Sequence, residues 1–210
     1  MFQFFSVNKN LIMPPQSEIK RYLGYKKSDL VDDITQKEIN CCIDEIVQVA
    51  APNSVYENFP LELFQKNKIK FADVEFSSAD LYSNLIGFSS TDKPCTKIVL
   101  LAATIGVQVD FLIRRYQQKD CVKAAIMQAV AASFIEEYVD LLNKKIKDDA
   151  NILGEKTRAR FSPGFGDVSL QLQKDFFRIL PCSKIGLTLM DTLIMAPEKS
   201  VTAFIGIQEN

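Results

Sequence analysis

Two guanidinium groups, two glycines and two aromatic rings fall in one short stretch, Arg158-Ala-Arg160-Phe-Ser-Pro-Gly164-Phe165-Gly166-Asp167. These residue types can make a cradle for an anion and a nucleoside. The guanidinium of Arg160 offers a fork that matches a carboxylate or phosphate. Pro163 and the two glycines disfavour a helix or central strand here, and Gly164 and Gly166 let bare backbone N–H groups come close to a ligand. Asp167 or Ser169 can cap a following helix through Leu170, Leu172, Phe176, Phe177 and Leu180, whose N-terminus would carry partial positive charge. A tight turn with solvated arginines fits the same spacing.

The chemistry the chain lacks narrows the reading further. It has no histidine, so Ser-His and Cys-His nucleophilic pairs are excluded, and proton transfer would fall to carboxylates, Tyr, Lys or Cys. Five cysteines, at 41, 42, 95, 121 and 182, include no Cys-x-x-Cys and have no imidazole to complete a zinc site. Reduced thiols in a cytoplasmic protein are the natural expectation. Cys41 and Cys42 could form a redox pair, but neighbours on a helix point about a quarter-turn apart. Twenty-five basic and twenty-six acidic residues supply no bulk field for nucleic acid or an anionic membrane. Met1-Phe-Gln-Phe-Phe5 lacks the features of a secretory signal, and the longest apolar runs, residues 98 to 107 and 124 to 135, are too short to span a bilayer.

The elements that must hold this stretch can be read from periodicity. Ser17 can open a short helix to residue 25. Thr35-Gln-Lys-Glu38 has the form of a capping box, opening a helix with Ile39, Ile43, Ile46 and Val49 on one face and closed by Pro52. Residues 55 to 59 and 69 to 76 alternate as half-buried strands, residues 78 to 87 read as a helix ending at Gly87, and residues 98 to 103 read as a buried strand. Helical spacing resumes from 107 to 115. Asp120 then caps a long helix to about residue 147, with small residues at 124, 125, 129, 131 and 132 suited to close packing. After Pro181, residues 186 to 195 and 200 to 207 read as two strands. Helices and strands mix without repeats, which predicts an α+β fold of helices around an antiparallel sheet. A turn over residues 91 to 94 divides a segment of residues 1 to 95, packing on the rest, from a core of residues 96 to 210.

Arg160-Phe-Ser-Pro-Gly164-Phe165 resembles the Arg-x-x-x-Gly-Tyr signature of the activation domain of vitamin B12-dependent methionine synthase, with Phe165 where that family has Tyr. A second block, Ile185-Gly-Leu-Thr-Leu-Met-Asp-Thr-Leu-Ile-Met195-Ala-Pro197-Glu-Lys-Ser200-Val201, is similar to the family's Ile-Gly-x-x-Leu and Met-x-Pro-x-x-Ser-Val pattern at matching spacing. Arg21-Tyr-Leu-Gly-Tyr25 and Ala103-Thr-Ile-Gly106 further resemble stand-alone members, in which the domain is its own polypeptide. The likeness is dense over residues 97 to 207 and thin before them.

The resemblance implies a domain that binds S-adenosylmethionine and docks on the corrinoid-binding modules of methionine synthase, with an electron-donor flavoprotein or ferredoxin in the same system. One-electron reduction of inactive cob(II)alamin, coupled to methyl transfer from S-adenosylmethionine, would restore the partner's cofactor. The cobalamin must come from that partner, since this chain has no imidazole to offer cobalt. By position, Arg160 inherits the ligand's carboxylate, and Phe161, Pro163, Gly164, Phe165 and Gly166 line its adenosyl part. Phe134-Ile-Glu136-Glu137-Tyr138 resembles the family's Phe-x-Glu-Tyr with one extra residue, so either Glu136 or Glu137 matches its acidic ligand. Glu155 lies upstream of the motif, as another acidic residue does in the family. A solvated helix face or loop is the ordinary alternative for each glutamate. Two other functions remain open: a docking or regulatory module that has lost methyl-donor binding, and an independent methyltransferase. The latter is disfavoured because no Rossmann glycine fingerprint follows a strand.

Overall fold

The computed structural model describes residues 1 to 88 and 92 to 209, so Thr91 of the expected turn lies outside the described residues. In chain order the elements are β1 (Gln3–Phe5), α1 (Gln16–Tyr22), α2 (Asp33–Val49), β2 (Asn53–Phe64), β3 (Lys68–Phe71), β4 (Val74–Ser77), α3 (Ala79–Ile86), β5 (Lys97–Thr104), α4 (Val107–Gln117), α5 (Cys121–Ile152), β6 (Glu155–Thr157), α6 (Gln173–Ile179), β7 (Thr188–Leu189), β8 (Met195–Ala196) and β9 (Ser200–Glu209). The main sheet has the order β4-β3-β2-β5-β9-β6, with β1 also on β2. All of these pairings are antiparallel, as the mixed α+β pattern predicts.

The register of β5 explains why its sequence is continuously apolar. It is bracketed by β2, from Asn53↔Thr104 to Pro60↔Lys97, and by β9, from Lys97↔Ile207 to Thr104↔Ser200. Successive side chains leave a strand on opposite faces. Val99, Leu101 and Ala103 enter a core with α1, α2, α4 and α5, whereas Ile98, Leu100 and Ala102 enter a second core with α3, α6 and the β3–β4 hairpin. With helices on both faces, neither set can be polar. Elements drawn from residues 1 to 95 are built into this arrangement, since β2 separates β3 from β5 and α2 packs along α5.

Helix α5 is the spine of the first layer. Asp120 caps it by accepting from the Lys123 amide at 3.0 Å. It runs five residues past the expected residue 147 and stops where Gly154 takes a left-handed φ of +75°. Lys123 bridges to Glu38 at 2.9 Å and Glu45 at 2.8 Å on α2; these bonds, the one to Glu45 above all, raise its pKa. Tyr138, fully buried, donates to the Phe5 carbonyl at 2.7 Å and meets the Ser54 hydroxyl at 3.0 Å, tying β1 and β2 to this helix. Burial pushes its phenol up to about 12.

Several expected boundaries move for identifiable reasons. The α2 N-cap is Asp32, whose carboxylate takes the amides of Ile34 and Thr35 and the Thr35 hydroxyl. Thr35 therefore sits inside the first turn rather than capping it. Residues 69 to 76 form two strands, because Ala72 turns the chain at a φ of +48°. Residues 186 to 195 form no continuous strand; only the two-residue pairs Thr188↔Ala196 and Leu189↔Met195 form. Cys41 is exposed and Cys42 is buried, its thiol pushed up to about 12 by desolvation, so the two face different surroundings. None of the described helices is long and apolar enough to cross a membrane.

Candidate ligand-binding site at the sheet edge

The arginine stretch lies along the free edge of β9. Pairing steps from Thr157↔Ile207 to the isolated bridge Phe161↔Phe204, so four steps on the edge segment oppose three on β9. One extra residue in this span is a β-bulge, which re-aims the side chains around it. Arg158 and Arg160 would share a face in an uninterrupted strand, but here they separate. Arg158 turns to the α3 side, where its guanidinium meets Asp92 at 3.1 Å and the Lys93 carbonyl at 3.1 Å. Arg160 turns to α5, where its Nη2 meets Glu136 at 3.0 Å and Asp140 at 3.1 Å. Its Nη1 is buried and has no partner among the described residues. Arg158 Nε is likewise buried and without a partner among the described residues, so what sets Arg160 apart is its place beside the acidic face of α5.

Beside it lies a cleft of ≈ 320 Å³ between α1 and α5, lined by Pro15, Glu18, Arg21, Tyr22, Ser133, Glu136, Glu137 and Asp140. Arg21 is held by Glu18, at 2.9 and 2.6 Å, and stacks on Tyr22 at 4.4 Å. The motif fragment Arg21-Tyr22 is thereby brought to the acidic segment of α5. Burial, reinforced by Asp140, raises the pKa of Glu137. Sequence reading named Glu136 and Glu137 but missed Asp140 and Ser133. Their spacing from residue 136, plus four and minus three, is the available signal, because those offsets share a helix face.

The loop after the bulge spends most of its amides internally. Gly164 N–H donates to the Val168 carbonyl at 2.8 Å, Phe165 to Ser162 at 3.1 Å, and Val168 to Phe165 at 3.1 Å. Pro163 is buried and anchors the loop. Phe161 packs on the second core, and the exposed ring of Phe165 stands edge-on to it at 5.2 Å. The expected cap from Asp167 is not formed; Ser169 caps a 3-10 turn over Leu170–Leu172 by accepting from the Gln171 amide, and that turn leads into α6, which has no side-chain cap of its own. Asp167 reaches instead across to α3, where its carboxylate accepts from the Ser78 hydroxyl, the Ala79 amide at 2.6 Å and the Asp80 amide at 3.2 Å, while its own amide donates to the Asp80 carboxylate at 3.1 Å. These bonds, the one from Ser78 first, lower the Asp167 pKa.

This clasp explains Gly166. A Cβ there would lie 2.2 Å from Asp80 Oδ2, and its φ is +56°. Gly166→Ala is therefore expected to cost about 2 kcal/mol, from left-handed strain and a lost clasp bond. Gly186→Ala, at φ +73° with nothing within 4 Å of its Cβ, should show only the strain, about 1 kcal/mol. Equal losses for the two in chemical denaturation would rule out the clasp as the reason for a glycine at 166.

Glu155 sits apart from the Arg160 cluster. It is buried on β6, paired with Lys97 of β5 and opposite Glu209, beside Ile146, Ala150 and Leu153 near the C-terminal end of α5. The other motif blocks converge: Ala103 pairs with Val201 and Thr104 with Ser200, and Asp110 at the start of α4 takes the Glu198 amide at 2.8 Å. The 195–201 segment is thus fixed to the turn at Gly106.

Comparison with known proteins turns on this architecture, because the sequence alone matches no family model and no curated protein. Among solved structures, the crystal structure of the MetH reactivation domain bound to AdoHcy superposes with a TM-score of 0.69 over 98% of this chain and 78% of its own, at 12% identity. The chain has the reactivation-domain fold. At that identity the likeness speaks for the arrangement of helices around the antiparallel sheet, and the arginine bulge is a feature of this chain's own geometry.

Proposed function

We propose that this chain binds S-adenosylmethionine and presents its methyl group to a cobalamin carried by a partner methionine synthase module. The single observation that carries the reading is the Arg160 guanidinium, placed by the bulge beside the carboxylates of a cleft, with Nη1 buried and without a partner among the described residues. In this reading the ligand's carboxylate takes Nη1 in a charge-assisted bond, Glu136 or Glu137 takes the ammonium, and the exposed Phe165 ring stacks on the adenine beside Phe161, Gly164 and Gly166. The partner's cobalamin supplies the nucleophile. The residues of this chain bind, orient and desolvate the donor, and none of them need attack. Glu155, held by Lys97, supports the edge strand rather than touching the ligand. The electron donor, a flavoprotein or ferredoxin, acts on the partner.

One charge-assisted bond nets about 1.5 to 3 kcal/mol, and micromolar binding needs about 8 kcal/mol, so the cleft and the aromatic pair must supply most of the affinity. Phe165 brings no hydroxyl, which leaves the adenine edge to backbone groups.

A second reading, a docking module that has lost the ligand, is favoured by the loop amides already consumed at Gly164, Phe165 and Val168. Two measurements separate the readings. The purified chain is expected to bind S-adenosylmethionine in the micromolar range by isothermal titration, and reductive reactivation of the partner synthase is expected to depend on adding it. Reactivation that proceeds equally well without the chain would exclude the first reading; dependence on the chain without ligand binding, even with the partner present, would establish the second.

A further inference from the structure

We propose that the cleft at the C-terminal end of α1 is a binding site for a compact polyphosphate anion, taken up free or as the phosphate tail of a nucleotide. This cleft, of ≈ 580 Å³, gathers four cations, Lys20, Arg21, Lys26 and Lys27, around Tyr25, against two carboxylates, Glu18 and Asp29. Both carboxylates are already engaged. Glu18 holds Arg21 at 2.6 Å, and Asp29 accepts from the Lys26 amide at 2.8 Å and the Ser28 hydroxyl at 3.5 Å. Lys20, Lys26 and Lys27 are left without an ion pair among the described residues. No residue of α5 lines the cleft, so it is a different surface from the one beside Arg160, and the inference stands independently of S-adenosylmethionine binding.

The lysines sit on a fixed scaffold. Gly24, at a φ of +87°, reverses the chain at the end of α1, and the Tyr25 amide donates back to the Lys20 carbonyl at 3.0 Å. The next turn is closed in both directions, by the Asp29 amide on the Lys26 carbonyl at 3.0 Å and by the Lys26 amide on the Asp29 carboxylate. The helix dipole accounts for cations in the last turn of α1, but not for two more on the returning loop. Nor is the cluster the overspill of a basic protein, since the chain carries a net charge of -1. Like charges brought together repel, and a multivalent anion offsets that repulsion while taking several charge-assisted bonds at once. The concave shape suits a compact anion better than a flat protein face, and the half-buried Tyr25 offers a ring on which a base can stack.

The experiment titrates the full chain, at low salt and without divalent cations, with inorganic tripolyphosphate, sulfate and ATP. Tripolyphosphate is expected to bind with a dissociation constant of about 100 µM or below. Sulfate should bind at least about tenfold more weakly, because it reaches fewer ammonium groups. The double variant Lys26→Gln/Lys27→Gln should weaken tripolyphosphate by about tenfold or more, whereas Lys66→Gln, at an exposed lysine of the β2–β3 turn outside the cleft, should stay within about twofold of wild type. Thermal melts without ligand check that the variants fold. ATP binding more tightly than tripolyphosphate, with the gain lost in Tyr25→Leu, identifies the ligand as a nucleotide; equal affinity identifies a free polyphosphate. Absence of tripolyphosphate binding, sulfate binding as tightly, or equal weakening by Lys66→Gln and the double variant overturns the proposal. Poly-glutamate binding in place of tripolyphosphate overturns it too, and reassigns the cleft to an acidic protein partner.

Discussion

Arg160→Ala is expected to weaken S-adenosylmethionine binding by about two orders of magnitude while leaving the fold standing. Losing a charge-assisted, directed contact costs about 1.5 to 3 kcal/mol, or roughly ten- to a hundredfold. The upper end applies for an electrostatic reason. Arg160 is also the counter-ion of Glu136 and Asp140, at 3.0 and 3.1 Å, and its removal turns both carboxylates against the ligand's own. Arg160→Lys keeps the charge but not the planar fork, and is expected to lose about tenfold. The fold should survive, because Glu136 and Asp140 lie toward solvent and rehydrate, and the buried, unpartnered Nη1 is removed with its own desolvation cost. Titration calorimetry on the three proteins, beside their melting curves, tests this. Affinity unchanged in Arg160→Ala would place the ligand's carboxylate somewhere other than the bulge.

How much of this was legible in the residues can be judged from particular elements. The α+β class, the buried strand at residues 98 to 103, the helix ending at Gly87 and the cap at Asp120 could be read directly, because apolar periodicity and capping chemistry are local. The arginine motif was also visible as a motif. Its geometry was not. Whether Arg158 or Arg160 faces α5 depends on an extra residue opposite β9, and a bulge appears only once the register of two distant strands is known. The role of Asp167 was misread for the same kind of reason. A carboxylate before a helical run looks like that run's cap, yet the amides it satisfies belong to α3, 87 and 88 positions earlier. The Asp80 carboxylate that approaches Gly166 was equally out of reach of local reading, since it comes from α3. Ser133 and Asp140 carried no signal beyond helical spacing, and their importance comes from what α1 and the bulge bring to their face.

Phe204→Ala is expected to be the most destabilising single change in the protein, by about 3 to 5 kcal/mol. Its ring is fully buried on β9 and lies at the centre of an aromatic cluster, 4.7 Å from Phe176, 5.7 Å from Phe71 and 6.2 Å from Phe76. Those partners come from α6 and from the β3–β4 hairpin, which outside this core are joined by the exposed Arg178–Asp73 pair, so truncation opens a cavity between them, and it also removes edge-to-face contacts worth about 0.5 to 1.5 kcal/mol per pair. For a chain of this length the melting temperature should fall by about 10 °C. The position also matters to the site. The Phe204 backbone exchanges both bonds with Phe161, at 3.0 and 2.7 Å, on the rim of the bulge that aims Arg160. Phe204→Leu keeps that exchange and most of the volume, and should lose about 1 to 2 kcal/mol with ligand affinity within about threefold of wild type. In Phe204→Ala the second layer loosens beneath Phe161, and affinity should fall together with stability. If alanine at 204 lowered stability by the full amount and left affinity untouched, the bulge would be held by its backbone pairing alone, and the aromatic cluster would have no part in positioning Arg160.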